Sequence, residues 1–181
     1  MTIFPKQEVS PLQVETVNDG IWNLFDQNPK RFTMIVFYRG LHCPVCKSYL
    51  RDLKVSLEAL NAQGVEVIAI SSDSKDRAER AVKDWELEGL VVGYDFPVEK
   101  ASEWGLFVSE QWEASKNNDV PEPEEFVEPG LFLIDSNFKL YASSIQTMPF
   151  ARPPINDIVE AFKIIKEKNY PARGGSVAAV L

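Results

Sequence analysis

Phe32-Thr33-Met34-Ile35-Val36-Phe37-Tyr38-Arg39-Gly40-Leu41-His42-Cys43-Pro44-Val45-Cys46-Lys47 runs from an almost unbroken apolar stretch straight into two cysteines spaced Cys-x-x-Cys. An apolar run of this length marks a strand buried on both faces, as in a parallel sheet covered by helices. The residues after it read as a helix from Pro44 to about Gln63. Leu50, Leu53, Leu57 and Leu60 form one apolar stripe, and Gly64 supplies the stop. The two cysteines, the only ones in the chain, thus fall at the start of a helix.

Outward from this unit the pattern continues. Val65–Ser71 reads as a second buried strand. A helix capped by Ser74 or Asp73 follows to about Leu87, and Leu90–Tyr94 is a third strand. Leu12–Val17 suits an opening strand, Ile21–Asp26 a short helix, and Glu99–Trp104 another. The polar stretch 109–127 reads as a surface insertion, with a helical start at Ser109–Ser115. Leu131–Ile134 and Leu140–Ile145 form a hairpin around Asp135-Ser136-Asn137, and Ile155–Lys168 is the closing helix. Trp85 and Trp104 read as core anchors. Trp112 and Phe107 border the insertion, and packing into the core is favoured for them over covering the site or a dimer contact. Two βα units followed by a β-hairpin and a helix describe an α/β, thioredoxin-like fold: a central mixed sheet with helices on both faces. Residues 1–170 make a single domain, and 171–181 a flexible tail.

The placement of the thiols predicts their chemistry. With Cys43 at the N-cap and Pro44 at N1, backbone N–H groups of Val45 and Cys46 can point at the Cys43 sulfur. An ordinary thiol with a pKa of about 8.5 is only about 3% thiolate at pH 7, and a shift of about 1.5 units, roughly 2 kcal/mol, makes it half ionised. Cys43 is therefore the expected nucleophile. Cys46, one turn deeper, is the expected resolving thiol, within disulfide reach. Cys43 would attack a disulfide, or a peroxide to give a sulfenic acid; Cys46 would then close the disulfide, and an external thiol reductant would reopen it. Arg39 is a candidate electrostatic partner because it stays charged. His42 could lower the Cys43 pKa when protonated, or only orient the loop. The turn Met148-Pro149-Phe150-Ala151-Arg152-Pro153-Pro154 either borders the thiols or simply leads into the last helix.

Composition narrows the rest. The chain has 181 residues and a net charge of −8 without basic clusters, which argues against nucleic acid as a partner. A single histidine and two cysteines make a metal site unpromising, and no nucleotide motif suggests a cofactor. No apolar run is long enough for a membrane span, and the N-terminus lacks the apolar core of a signal peptide. These readings make the cytoplasm, where thiols stay reduced, the expected location.

FYRGLHCPVCKSYLRDL, VEVIAISSDS, ASEWGLF and PGLFLIDSNFKL together resemble the peroxiredoxin-like AhpC/TSA (redoxin) group of the thioredoxin-like superfamily, over about Ile21 to Lys168. The resemblance implies an antioxidant thiol oxidoreductase acting on a peroxide or a disulfide, a reductant such as thioredoxin or glutathione, and, as in many redoxins, a homodimer. Three family positions differ. The Pro-x-x-x-Thr-x-x-Cys motif would need Pro and Thr where Val36 and Gly40 stand, and Pro129 replaces the arginine before the FIID-type strand. Arg39 and Arg152 are the candidates for the missing charge. The dithiol CPVC is closer to the CGPC and CPYC of thioredoxins and glutaredoxins. In that comparison Pro129 takes the place of the cis-proline facing the thiols, which predicts a cis Glu128–Pro129 peptide. The alternative reading is a binding module or redox sensor that keeps the fold without catalysis.

Overall fold

The computed structural model describes residues 3–18 and 20–176. Within them, seven strands form one mixed sheet in the order β2-β1-β5-β4-β3-β8-β9. At its centre lies β3 (Phe32–Phe37), with all six residues buried. It pairs in parallel with β4 (Val65–Ile70) and antiparallel with β8 (Gly130–Asp135). β5 (Val91–Tyr94) continues the parallel side, and β1 (Gln13–Thr16) and β2 (Gly20–Asn23) close that edge. β9 (Leu140–Ile145) closes the other edge as the partner of β8.

Alternation along β3 divides the core in two, because successive strand residues face opposite ways. Phe32, Met34 and Val36 pack with α1 (Pro44–Val55), α2 (Leu57–Ala62), α3 (Lys75–Asp84) and α4 (Ile155–Lys168), through Leu50, Leu60, Ala81 and Phe162 among others. Ile35 and Phe37 face the other way, onto Phe132, Phe96 and Trp104, the last on the 3₁₀ helix Val98–Trp104. The sheet is therefore covered on both faces, and Cys43 and Cys46 belong to the α-helical side. Tyr38 and Trp85 are buried there as well.

Several expected elements differ. Residues 21–26 do not form a helix; Gly20–Asn23 pairs with β1, and Leu24–Asp26 is one 3₁₀ turn capped by the Asn23 side chain. Ile21 is exposed and only Leu24 of the turn is buried, so no apolar helix face exists to be covered. The long helix expected over 44–63 breaks at Ser56. There the Ser56 hydroxyl bonds back to the Asp52 carbonyl at 2.9 Å, and its backbone sits at φ −88°, ψ −2°. Such back-bonding competes with the helix ladder and bends it. Within the insertion, the expected helical start at 109–115 is instead β6 (Val108–Glu110), paired with β7 (Glu125–Val127), with a 3₁₀ helix at Glu113–Asn117 between them.

The Glu128–Pro129 peptide is trans, correcting the cis expectation. The chain passes from β7 through Pro129 directly into β8, an extended path that a trans bond continues. The Pro129 carbonyl is satisfied by the Gln146 N–H at 2.9 Å, and the Glu128 N–H by the Phe107 carbonyl at 2.8 Å. The tail expected at 171–181 is described only to residue 176. Residues 171–176 contain no helix or strand, Gly175 passes close to the Pro5 carbonyl, and 177–181 lie outside the described residues.

Candidate active site

Cys43 caps α1 as its sequence position requires. Its backbone is extended (φ −101°, ψ 102°), Pro44 follows at N1, and its sulfur accepts the Cys46 backbone N–H at 3.2 Å. Both cysteines are free thiols, and Cys43 is only 1% exposed. It nevertheless lies on the wall of a cavity of about 460 Å³, shared with Arg39, Trp112, Glu122, Pro149 and Phe150. The sulfur is thus shielded from bulk solvent yet bordered by space for a small molecule.

The two thiols divide one proton unequally. A hydrogen bond from the Cys46 side chain is the largest influence on Cys43. With the Cys46 backbone N–H and the charges of Arg152 and then Arg39, it overcomes burial and brings the Cys43 pKa down to about 6. Cys46 is fully buried; burial first, then its hydrogen bond to Cys43 and the neighbouring thiolate charge, raise its pKa well above the ordinary thiol value. The favoured state is therefore a Cys43 thiolate accepting from a Cys46 thiol.

Arg39 is close to the site but already engaged. It pairs with Glu122 at 3.1 Å and Glu128 at 3.5 Å, and its guanidinium lies 4.7 Å from the centre of the Phe126 ring. Glu122 also accepts the Trp112 N–H at 2.8 Å, so the Arg39–Glu122 contact holds the insertion over the thiols. Trp112 and Phe107 are not core residues: they are 68% and 50% exposed, and Trp112 stands on the cavity wall. His42 does not act as a cation. Burial, with Arg39 and Arg77 nearby, pushes its pKa down to about 3, and its neutral ring packs 4.7 Å from the Phe126 ring with Nδ1 3.5 Å from Arg77. Pro129, at the start of β8, is trans, and its carbonyl is held by the neighbouring strand end rather than offered to the site.

Four residues matter more than the sequence suggested. Asp73, which sequence marks only as a potential cap, is buried and accepts the Leu41 N–H at 2.6 Å and Arg77 Nε at 2.7 Å. Burial raises its pKa and Arg77 opposes that rise. Arg77 then donates to the Pro121 carbonyl at 3.2 Å, so this pair ties the loop before Cys43 to the insertion. Gly40, with φ +126°, lies against Asp73; a Cβ there would stand 2.6 Å from both carboxylate oxygens. Arg152 comes from the turn before α4 and donates to the Cys46 sulfur at 2.8 Å. The turn therefore borders the thiols as well as leading into the helix. Among the described residues, no group of three or more His, Cys, Asp or Glu side chains is placed to hold a metal, and no helix is long and apolar enough to cross a membrane.

The chain matches the AhpC/TSA family over residues 5–143. No curated protein sequence matches it. Among solved structures, AhpC from Enterococcus faecalis superposes with a TM-score of 0.70 at 15% identity, covering 99% of this chain and 100% of that one. Peroxidoxin BcpB from Mycobacterium tuberculosis gives 0.68 at 13% identity, with 90% and 98% covered. A peroxiredoxin-like protein from Aquifex aeolicus gives 0.67 at 16% identity, with 89% and 86% covered. At such identities the likeness is one of fold.

Proposed function

The chain belongs to the AhpC/TSA family of thiol-dependent oxidoreductases, and on that basis we propose that it reduces peroxides through Cys43 and Cys46. The observation that carries this reading is the Cys43 sulfur at the mouth of α1, holding the Cys46 N–H at 3.2 Å beside a cavity of small-molecule size. The Cys43 thiolate attacks the distal peroxide oxygen. The O–O bond breaks, the sulfur is oxidised to a sulfenic acid, and the departing oxygen takes a proton to leave as alcohol or water. Cys46 then displaces the sulfenic oxygen as water, and the disulfide closes.

Burial favours a peroxide over a protein disulfide as the oxidant. A thiol 1% exposed beneath the insertion is within reach of a small molecule, whereas a protein disulfide would need the insertion displaced. The reductant is a thiol of the glutathione or thioredoxin kind; by the same argument a small thiol fits the opening, whereas thioredoxin would need the insertion displaced. Arg39 and Arg152 supply positive charge near the dithiol, in place of the family arginine position occupied by Pro129. On this reading residues 1–170 act as one redoxin domain in the cytoplasm. Consumption of hydrogen peroxide coupled to a thiol reductant, lost in Cys43→Ser, is the expected result. Reduction of insulin disulfides without peroxide turnover would place the protein on the disulfide-reductase branch instead.

A further inference from the structure

We infer that Arg152 is a catalytic residue of the resolving step: it grips the Cys46 sulfur and stabilises the negative charge that this sulfur carries as it attacks oxidised Cys43. The inference rests on the reading of Cys43 as the peroxide-reacting thiol, and assigns a residue to the step that follows.

Three features of Arg152 point to this role. Its Nη2 lies 2.8 Å from the Cys46 sulfur, while Nε and Nη1 are buried without a protein partner. None of the ion pairs among the described residues includes it. A half-buried guanidinium without a carboxylate is costly unless an anion is expected beside it. Arg39 shows the contrast, since both of its neighbours are carboxylates.

The cation is also held in place. Its guanidinium lies 5.1 Å from the centre of the Tyr49 ring, and the Tyr49 hydroxyl donates to the Pro153 carbonyl at 2.8 Å, fixing the turn. Ala151 has φ +56°, and Pro153 and Pro154 follow Arg152. A left-handed alanine followed by an arginine and two prolines leaves the turn little freedom, and such outliers concentrate where a side chain must be aimed.

The same contact serves two states in turn. In the reduced protein, Arg152 donates to Cys46, whose thiol donates to the Cys43 thiolate; the positive charge acts through Cys46 on the nucleophile. Once Cys43 carries the sulfenic oxygen, its charge is gone, and so are the two influences of Cys43 that held the proton on Cys46. What then faces the Cys46 sulfur is oxidised Cys43 from the head of α1, the un-ionised Tyr38 phenol from the end of β3, and Arg152 from the turn before α4. Arg152 is the only cation in that set. Cys46 gives up its proton, attacks the Cys43 sulfur, and the S–O bond breaks; the leaving hydroxide and the released proton together make one water.

The test follows the full-length protein after one equivalent of hydrogen peroxide, by rapid quench and sulfenic-acid trapping with mass spectrometry, across a pH series. Raising the pKa of a thiol by one unit cuts its thiolate fraction tenfold but makes the thiolate roughly threefold more nucleophilic, a net loss of about threefold. Arg152→Gln removes the charge and hydrogen bond that lower the Cys46 pKa, and should therefore slow disulfide formation several-fold at pH 7, with a smaller effect on sulfenic acid formation. The pH profile of the second step should move upward, so that the gap to wild type closes at high pH, and Arg152→Lys should recover much of the rate. An unchanged second step in Arg152→Gln would overturn the inference. So would a deficit equal at every pH and not relieved by lysine, which indicates packing alone. If Cys46→Ser yields no sulfenic acid on Cys43, the peroxide reading itself fails and takes this inference with it.

Discussion

Burial and hydrogen bonding compete at Cys43, and hydrogen bonding prevails. Its pKa of about 6 leaves the sulfur about 90% ionised at pH 7. The thiolate is the reactive form and exists above the pKa, so reactivity falls as the medium is acidified. The rate of Cys43 alkylation by iodoacetamide should be half-maximal near pH 6 and drop roughly tenfold for each unit below it. A profile centred near 8.5 would deny the helix start any influence. Asp73 illustrates what a single sequence hides. Its ties to Leu41 and Arg77 span 32 and 4 residues, and only the second falls within one helix turn. Removing a buried carboxylate that balances a cation costs about 3–5 kcal/mol, so Asp73→Ala should show a loss of that order in urea denaturation. Gly40→Ala forces a Cβ against the same carboxylate at a left-handed φ, and should cost about 2–4 kcal/mol by the same measurement.

Elements were legible where one local pattern dominated. β3 announced itself by unbroken apolarity, and α4 by its repeat of Ile155, Ile158 and Phe162. The boundary between α1 and α2 was not legible, because the apolar stripe continues through it and only the Ser56 hydroxyl interrupts the ladder. Only Ser109–Ser115 at the start of the insertion reads as helical, because strands of three residues, Val108–Glu110 and Glu125–Val127, carry too little periodicity to register. The cis expectation at Pro129 rests on analogy with a thioredoxin position, whereas the strand just before it demands a continuing chain. Since Glu122 joins Arg39 to the Trp112 backbone, Glu122→Ala should loosen the insertion. At a pH above the Cys43 pKa, bulky maleimides should then alkylate Cys43 several-fold faster, with little change for iodoacetamide. Equal rates for the bulky reagent in both proteins would mean that this contact does not govern access.

Across the whole molecule, one sheet joins two apolar clusters, and the site sits where the α-helical cluster meets the insertion. Phe132, on β8, contacts Phe37 at 5.8 Å and Trp104 at 5.2 Å between ring centres, far from the thiols in the opposite cluster. Phe132→Ala should cost about 3–5 kcal/mol in a single cooperative transition and leave the Cys43 alkylation profile in place. The thioredoxin-like architecture could be read from the order of elements, since right-handed crossovers restrict how βα units assemble. The charges near the dithiol could be read only as candidates, Arg39 and Arg152; that Arg152 contacts the Cys46 sulfur while Arg39 is held by Glu122 and Glu128 depends on segments far apart in the chain. The most direct test of the central claim is mass spectrometry of the reduced protein after one equivalent of hydrogen peroxide. The expected product is an intramolecular Cys43–Cys46 disulfide, with a sulfenic acid confined to Cys43 when Cys46 is replaced by serine. Two untouched thiols, or oxidation beginning at Cys46, would contradict it.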